Sequence, residues 1–291
     1  MIEVKGVEKK FKNFHLGPVS FTLEKGTAVA LLGGNGSGKS TLFKLIMSII
    51  QTETGSVHLF GQDMRENETI IKQKIGFLGD LYEPFSSLKV KQLVKLVSRW
   101  YPNWNHELYN HYLSRYQINE NEKFGNCSKG TKKKVEFILS ICHDPDILLL
   151  DEPTENLDII SKRKMKEDLI AYMADGEKSI LLATHNMDDV RQICDFLILL
   201  DKGKLLHSFE KDELNESFAR IWISNSDGFN EDHVNIVSIK KINSHSIELV
   251  TNNLQALDKD LLNKGISIQQ SERLKLEEIV EYILDSRRLP M

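Results

Sequence analysis

The chain has little that would carry it into a membrane by itself. Its longest apolar runs, "ILLL" at Ile147–Leu150 and "FLILL" at Phe196–Leu200, fall far short of the roughly 20 residues that span a bilayer. The opening "MIEVKGVEKKF" contains no apolar segment of the secretory kind, so any work at a membrane is expected to pass through a partner. Cysteine is scarce. Cys127, Cys142 and Cys194 are scattered without a C-x-x-C spacing, which argues against a disulfide framework and a zinc site and fits a reducing cytosol. Positive charge is not in excess either: 38 Lys and Arg stand against 42 Asp and Glu, for a net charge of -4. Nothing in that balance draws the chain to a phosphodiester backbone, and no nucleic-acid partner is expected. Internal repeats and low-complexity segments are also lacking.

What is present is the composition of an ordinary globular protein, 41% hydrophobic and 27% charged. At 291 residues the chain is long for one compact core, and a large domain with a small appended one is expected. The runs "AVALLG" (Ala28–Gly33), "DILLLDE" (Asp146–Glu152), "SILLAT" (Ser179–Thr184) and "FLILL" are continuous rather than alternating. Such strands are buried on both faces, as in a parallel sheet covered by helices, so the core is α/β. Leu42, Leu45, Ile46 and Ile49 then repeat with helical spacing, whereas "GSVHLFGQDM" alternates like a half-exposed antiparallel strand. From about residue 82 to 135 apolar and aromatic residues recur at three- and four-residue steps, as in a helical insertion. Residues 1–214 are read as the main domain. Residues 215–291 carry short strand signals and two amphipathic helices, and read as a small α+β domain.

Chemistry is concentrated in a few stretches. "GGNGSGKST", Gly33 to Thr41, satisfies G-x-x-x-x-G-K-[ST] between a buried strand and an amphipathic helix. In such a loop the backbone amides around Gly33, Asn35, Gly36, Ser37, Gly38 and Thr41 curl about phosphate oxygens, Lys39 reaches the β- and γ-phosphates, and Ser40 offers a hydroxyl to Mg²⁺. ATP and Mg²⁺ are the expected ligands. "ILLLDEPT" ends a strand in two adjacent carboxylates: Asp151 would hold Mg²⁺, directly or indirectly, and Glu152 would polarise a water for attack on the γ-phosphate. Ser128 can N-cap a helix with the apolar stripe Val135, Ile138, Leu139 and Cys142. Lys132, Lys133 and Lys134 in its opening turns oppose the helix dipole. They are either drawn to a nearby phosphate or solvated on an exposed face.

The phosphate loop, the run "DEPTENLD", His185 in "LLATHNMDDV" and "CSKGT" at Cys127–Thr131, in their order along residues 1 to about 214, resemble the ATP-binding subunit of an ABC transporter. The resemblance implies a P-loop NTPase core of ABC type with an antiparallel β subdomain. It implies that Ser128, Lys129 and Gly130 form the signature that presses on ATP held by a second subunit, and that Asn156, Leu157 and Asp158 couple the two sites. His185 would contact the γ-phosphate, and Phe11 would stack on adenine, with Phe14 as the competitor. "IGFLGDL" resembles the segment that carries a glutamine in the family; here Asp80 stands at that position, an oxygen ligand that is shorter and charged. "CSKGT" also departs from the commonest signature by lacking its second glycine and terminal glutamine. The implied partners are a second nucleotide-binding subunit, identical or related, and a transmembrane permease, at the cytoplasmic face of the membrane. The length, the "RWYPNW" segment and the tail resemble ATPases of bacterial peptide exporters, those for phenol-soluble modulins among them. Two rivals are a soluble ABC-type ATPase acting on ribosomes or DNA and a P-loop kinase; neither accounts for all of these features.

Overall fold

The computed structural model describes residues 1–79, 81–224, 229, 233–243 and 245–285. The chain divides into two compact units, Met1–Ser208 and Phe209–Met291. In chain order the first contains β1 (Ile2–Phe11), β2 (Phe14–Leu23), β3 (Ala28–Leu32), α1 (Lys39–Ile46), β4 (Thr54–Leu59), β5 (Gln62–Asp63), α2 (Glu68–Gln73) and β6 (Ile75–Leu78). It continues through α3 (Val90–Ser98), α4 (His106–Arg115), α5 (Lys129–Ile141), β7 (Ile147–Asp151), α6 (Ile159–Met173), β8 (Ser179–Thr184), α7 (Met187–Ile193), β9 (Phe196–Asp201) and β10 (Lys204–Glu210).

The continuous apolar runs do form a buried parallel sheet. Its order is β10-β9-β3-β8-β7-β6, with β9, β3, β8, β7 and β6 paired in parallel. All residues of β3 and β8 are buried, because helices or the second sheet cover both faces. That second sheet, β2-β1-β4-β5, is antiparallel. Between the two sheets, Ile2, Val4, Leu16 and Leu59 pack with Leu31, Leu42, Phe43 and Leu149 into one core. Helix α1 is shorter than its apolar spacing implies. It ends at Ile46, Ser48 adopts φ 51°, and Ile49 falls outside the helix with 42% of its surface exposed.

The helical segment is held by aromatic packing. Tyr112 and Tyr116 meet Phe137 of α5 edge-on, with ring centroids 5.8 and 5.9 Å apart, and Arg115 ties α4 to Asp168 of α6. Trp104 is half-buried, whereas Trp100 is 69% exposed. His143 is buried and stacks on Tyr101 at 3.8 Å, with its Nε2 3.1 Å from the Ile75 carbonyl.

The second unit contains α8 (Lys211–Ser217), β11 (Ala219–Ser224), β12 (Ile236–Lys241), β13 (Ser246–Thr251), α9 (Leu254–Asn263), β14 (Ile268–Arg273) and α10 (Leu276–Asp285). Its antiparallel sheet has the order β12-β13-β11-β14. Alternation along β11 and β13 sends Ile221, Ile223, Ile247 and Leu249 to one face, where Leu257 and Leu261 of α9 cover them. On β11, Arg220 is held by Glu272 and Glu278 at 2.5 and 2.8 Å, which keeps its guanidinium charged.

Burial pushes the His143 imidazole down to about 4. The unfolded chain takes up this proton near the ordinary histidine value of about 6.5, while the folded chain resists it, so stability is present above that pH and is lost as pH falls toward 4. Wild-type protein is expected to lose about 3 kcal/mol more over this interval than His143→Gln. Urea midpoints measured at several pH values compare the two, and parallel pH profiles would dismiss the effect.

Candidate nucleotide site

The parallel register brings the site together. Leu32 lies level with Thr184, and Asp151 with Ala183, so the loops leaving β3, β7 and β8 emerge at one edge of the sheet, where ligands of open α/β folds bind. After β3 the chain turns through Gly36 and Gly38, whose φ values of 79° and 112° favour glycine, and α1 starts at Lys39. A Cβ on Gly38 would lie 2.9 Å from the Phe14 ring, and one on Gly33 only 2.2 Å from the Leu200 carbonyl. Ser37 is buried with its hydroxyl unpartnered. Its carbonyl accepts from the Gly203 amide at 2.9 Å. This brace from the β9–β10 turn lies far from the loop in sequence, and only the Lys202-Gly203 pair hinted at a turn there.

Lys39 is 7% exposed, and its Nζ donates to the Gly33 carbonyl at 2.7 Å while standing 3.7 Å from Glu152 Oε1. Glu152 Oε2 accepts from His185 Nδ1 at 3.0 Å and from the His185 amide at 3.3 Å. Asp151 accepts a hydrogen bond from the Ser40 side chain. Burial raises its carboxyl above the ordinary range, helped by the charge of Glu152 and opposed by Ser40, Lys133 and Lys39. The structure thus gathers Lys39, Ser40, Asp151, Glu152 and His185 at one place.

A cavity of about 400 Å³ is lined by Phe14, residues 34–41, Asp151 and Glu152. Phe14, not Phe11, faces this cavity; Phe11 is 45% exposed and tilts against Phe14 at 6.3 Å. Asp80 lies outside the described residues. The Ser40 hydroxyl and the Asp151 carboxylate are hard oxygen donors that suit Mg²⁺. Among the described residues no group of three or more His, Cys, Asp or Glu could hold a metal. Mg²⁺ usually takes one or two protein oxygens and completes its shell with phosphates and water.

Ser128 caps α5, its Oγ accepting from the Thr131 amide at 3.1 Å, and Ser128 and Lys129 are exposed. A Cβ on Gly130 would stand 2.6 Å from the Asn156 carbonyl, so α5 approaches the loop after β7 as closely as only glycine allows. Each of the three lysines finds a partner within the chain. Lys132 pairs with Glu83 at 2.8 Å, Lys133 donates to the Asp151 carbonyl at 3.3 Å and lies 3.8 Å from Glu136, and Lys134 reaches Asp158 at 3.4 Å. Asp158 also caps α6 through Ser161, and these bonds hold its carboxyl below the usual range. Dipole repulsion at the start of α5 is thereby offset by carboxylates and a carbonyl from neighbouring elements.

Fold and site define a P-loop nucleotide hydrolase. Residues 16–155 match the sequence model of the ABC transporter family. The ABC transporter ATP-binding protein YtrB of Bacillus subtilis is 32% identical over 222 residues, 76% of either chain. NatA, an ABC transporter ATP-binding protein of the same organism, is 33% identical over 205 residues, 68% of this chain and 83% of that one. The fold is shared with the dimeric ATP-binding cassette MJ0796, solved in a post-hydrolysis state with ADP and Pi, at a TM-score of 0.64 and 23% identity over 72% of this chain and 98% of that one. The chain belongs to the ATP-binding subunits of ABC transporters. It is an ATP hydrolase and works on ATP with Mg²⁺.

Gly130→Ala is expected to wedge α5 from the Asn156 loop and cost about 1–3 kcal/mol of stability, as overpacking does. Chemical denaturation reads this directly, and an unchanged midpoint would show that the contact is slack.

Proposed function

We propose that two nucleotide-binding subunits close head to tail around two Mg-ATP, hydrolyse them and reopen, and so drive a separate permease. The observation that carries this reading is the exposed start of α5. Ser128 and Lys129 face solvent, and neither Ser128 nor Gly130 lines the cavity of the phosphate loop. A helix start with free amides, set on the loop Asn156–Asp158, suits an anion brought by a second subunit. Ile159 and Ile160, next in the chain, are 87% and 60% exposed, which is costly for paired isoleucines unless another surface covers them.

In this mechanism Lys39 exchanges the Gly33 carbonyl for the β- and γ-phosphate oxygens. Glu152 takes a hydrogen bond from the attacking water and draws its proton, while His185 holds the Glu152 carboxylate and contacts the γ-phosphate. Ser40 and Asp151 would hold Mg²⁺, which when bound neutralises charge on the phosphate oxygens. Phe14 offers a ring beside the phosphate loop for the base, with Phe11 beside it. ATP that binds the closed dimer better than the open subunits shifts the population to the closed form, and hydrolysis removes that preference. Among the described residues no helix is long and apolar enough to cross a membrane. The subunit is proposed to sit at the cytoplasmic face, placed there by its permease. The exposed Phe85 and Trp100 belong to the helical segment that would receive that permease. The resemblance to peptide-exporter ATPases makes peptides or other amphipathic molecules the proposed cargo, phenol-soluble modulins among them. The second unit is proposed to steady the dimer.

Glu152→Gln is expected to slow hydrolysis by about 10²-fold or more and to accumulate, with Mg-ATP, as a dimer by size-exclusion chromatography with light scattering. Adding Ser128→Arg should abolish that dimer; a dimer indifferent to Ser128 would remove the head-to-tail reading. Deleting residues 211–291 should weaken ATP-dependent dimerisation, and an unaltered dimer and ATPase rate would free the second unit of that role.

A further inference from the structure

The loop that presents Glu152 is strained. Glu152 has φ 48° and Asn156 has φ 61°, a left-handed conformation that is costly in residues other than glycine. Such strain persists only where the surroundings fix the chain. Thr154 lies midway between the two residues and is 2% exposed. Its carbonyl accepts from the Leu157 amide at 3.4 Å, and its hydroxyl donates to Asp189 Oδ2.

Asp189 is fully buried in α7, and its other oxygen, Oδ1, has no hydrogen-bond partner. A buried polar atom left unpaired is costly, so an apolar pair at these two positions would serve stability better. The position of Asp189 suggests what offsets that cost. Helix α7 is capped by Asn186, the residue after His185, and Asp189 follows within its first turn. The Thr154–Asp189 bond therefore ties the loop carrying Glu152 to the helix that follows His185, the two residues that meet at 3.0 Å. It also sits at the head of the run Asn156–Asp158 against which Gly130 packs. Burial raises the Asp189 carboxyl above the ordinary range, with Thr154 and Lys166 opposing the shift.

We propose that Asp189 and Thr154 are positioning residues for ATP hydrolysis: their buried hydrogen bond holds the strained loop so that Glu152 meets His185 and the attacking water in register. The inference rests on the hydrolytic role given to Glu152 above. Neither residue lines the cavity of the phosphate loop, so ATP binding is insulated from the anchor while the chemical step depends on it.

Thr154→Val removes the hydroxyl and keeps the shape. It is expected to lower kcat by about 10-fold to 10²-fold, as a misplaced catalytic group does, while Mg-ATP binding, read with a non-hydrolysable analogue, stays within about twofold. Thr154→Ser restores the donor and should recover most of kcat, and Asp189→Asn, which keeps an acceptor for Thr154, should do better than Asp189→Ala. In a Glu152→Gln background Thr154→Val should add almost no further loss, because it acts through Glu152. Thr154→Ala supplies the same readings should the valine variant not fold. A variant less stable but with unchanged kcat, a parallel fall in kcat and ATP affinity, or additive losses with Glu152→Gln would overturn the proposal. Wild-type hydrolysis by Glu152→Gln would instead sink the role of Glu152 itself, whereas an inactive Glu152→Gln with full kcat in Thr154→Val would sink only the anchor.

Discussion

Three strands buried on both faces, β3, β8 and β7, run side by side in parallel, and everything chemical in the first unit hangs from their register. Their side chains cannot reach water on either face, so a slip of one residue would move every contact in the core. That constraint places Leu32, Thr184 and Asp151 at one edge. The phosphate loop, the Asp151–Glu152 pair and His185 then converge although about 150 positions separate the first from the last in the chain. The precision of the site is inherited from the rigidity of the sheet rather than from contacts among the catalytic groups.

Around that edge, the loops are fixed by approaches that leave no room for a side chain. Gly33 lies against the Leu200 carbonyl, Gly203 against His15, and Gly130 against Asn156. The Gly203 turn donates to Ser37, so the antiparallel sheet, the β9–β10 turn and the phosphate loop form a single braced assembly. The loop after β7 shows the complementary device: two residues other than glycine are held at positive φ by packing and hydrogen bonds. Strain is tolerated where Glu152 must point at both Lys39 and His185.

Charge does a similar job on α5. Three consecutive lysines at the start of a helix repel its dipole, and in an isolated peptide they would fray it. Here Glu83, the Asp151 carbonyl and Asp158 receive them. The run becomes a clasp between α5 and the strand and loop that carry Asp151 and Glu152. In the proposed head-to-tail pair, α5 would serve one nucleotide and Asp151 the other, so this clasp would lie within each subunit between the two sites.

Much was legible in advance because it is local. The glycine-lysine loop, the carboxylate pair at a strand end, the cap at Ser128 and the apolar runs each depend on neighbours a few residues away, and their spacing alone dictates strand, turn and helix. Partnership across the chain was not legible. The family resemblance pointed to Phe11 with Phe14 as the competitor, and only the fold of β2 against α1 puts Phe14 in the cavity. The partners of the three lysines were equally hidden, since Glu83, the Asp151 carbonyl and Asp158 are brought alongside by other elements. Thr154 and Asp189 carry no local signal, since a threonine in a turn and an aspartate in a first helical turn are commonplace until they meet in the core. By itself the sequence determined the chemistry and the identity of the buried strands, because these follow from residue type and short-range period. Tertiary structure alone decided which groups face one another, because a hydrogen bond or an ion pair depends on distances of a few ångströms that only the packed sheet can set.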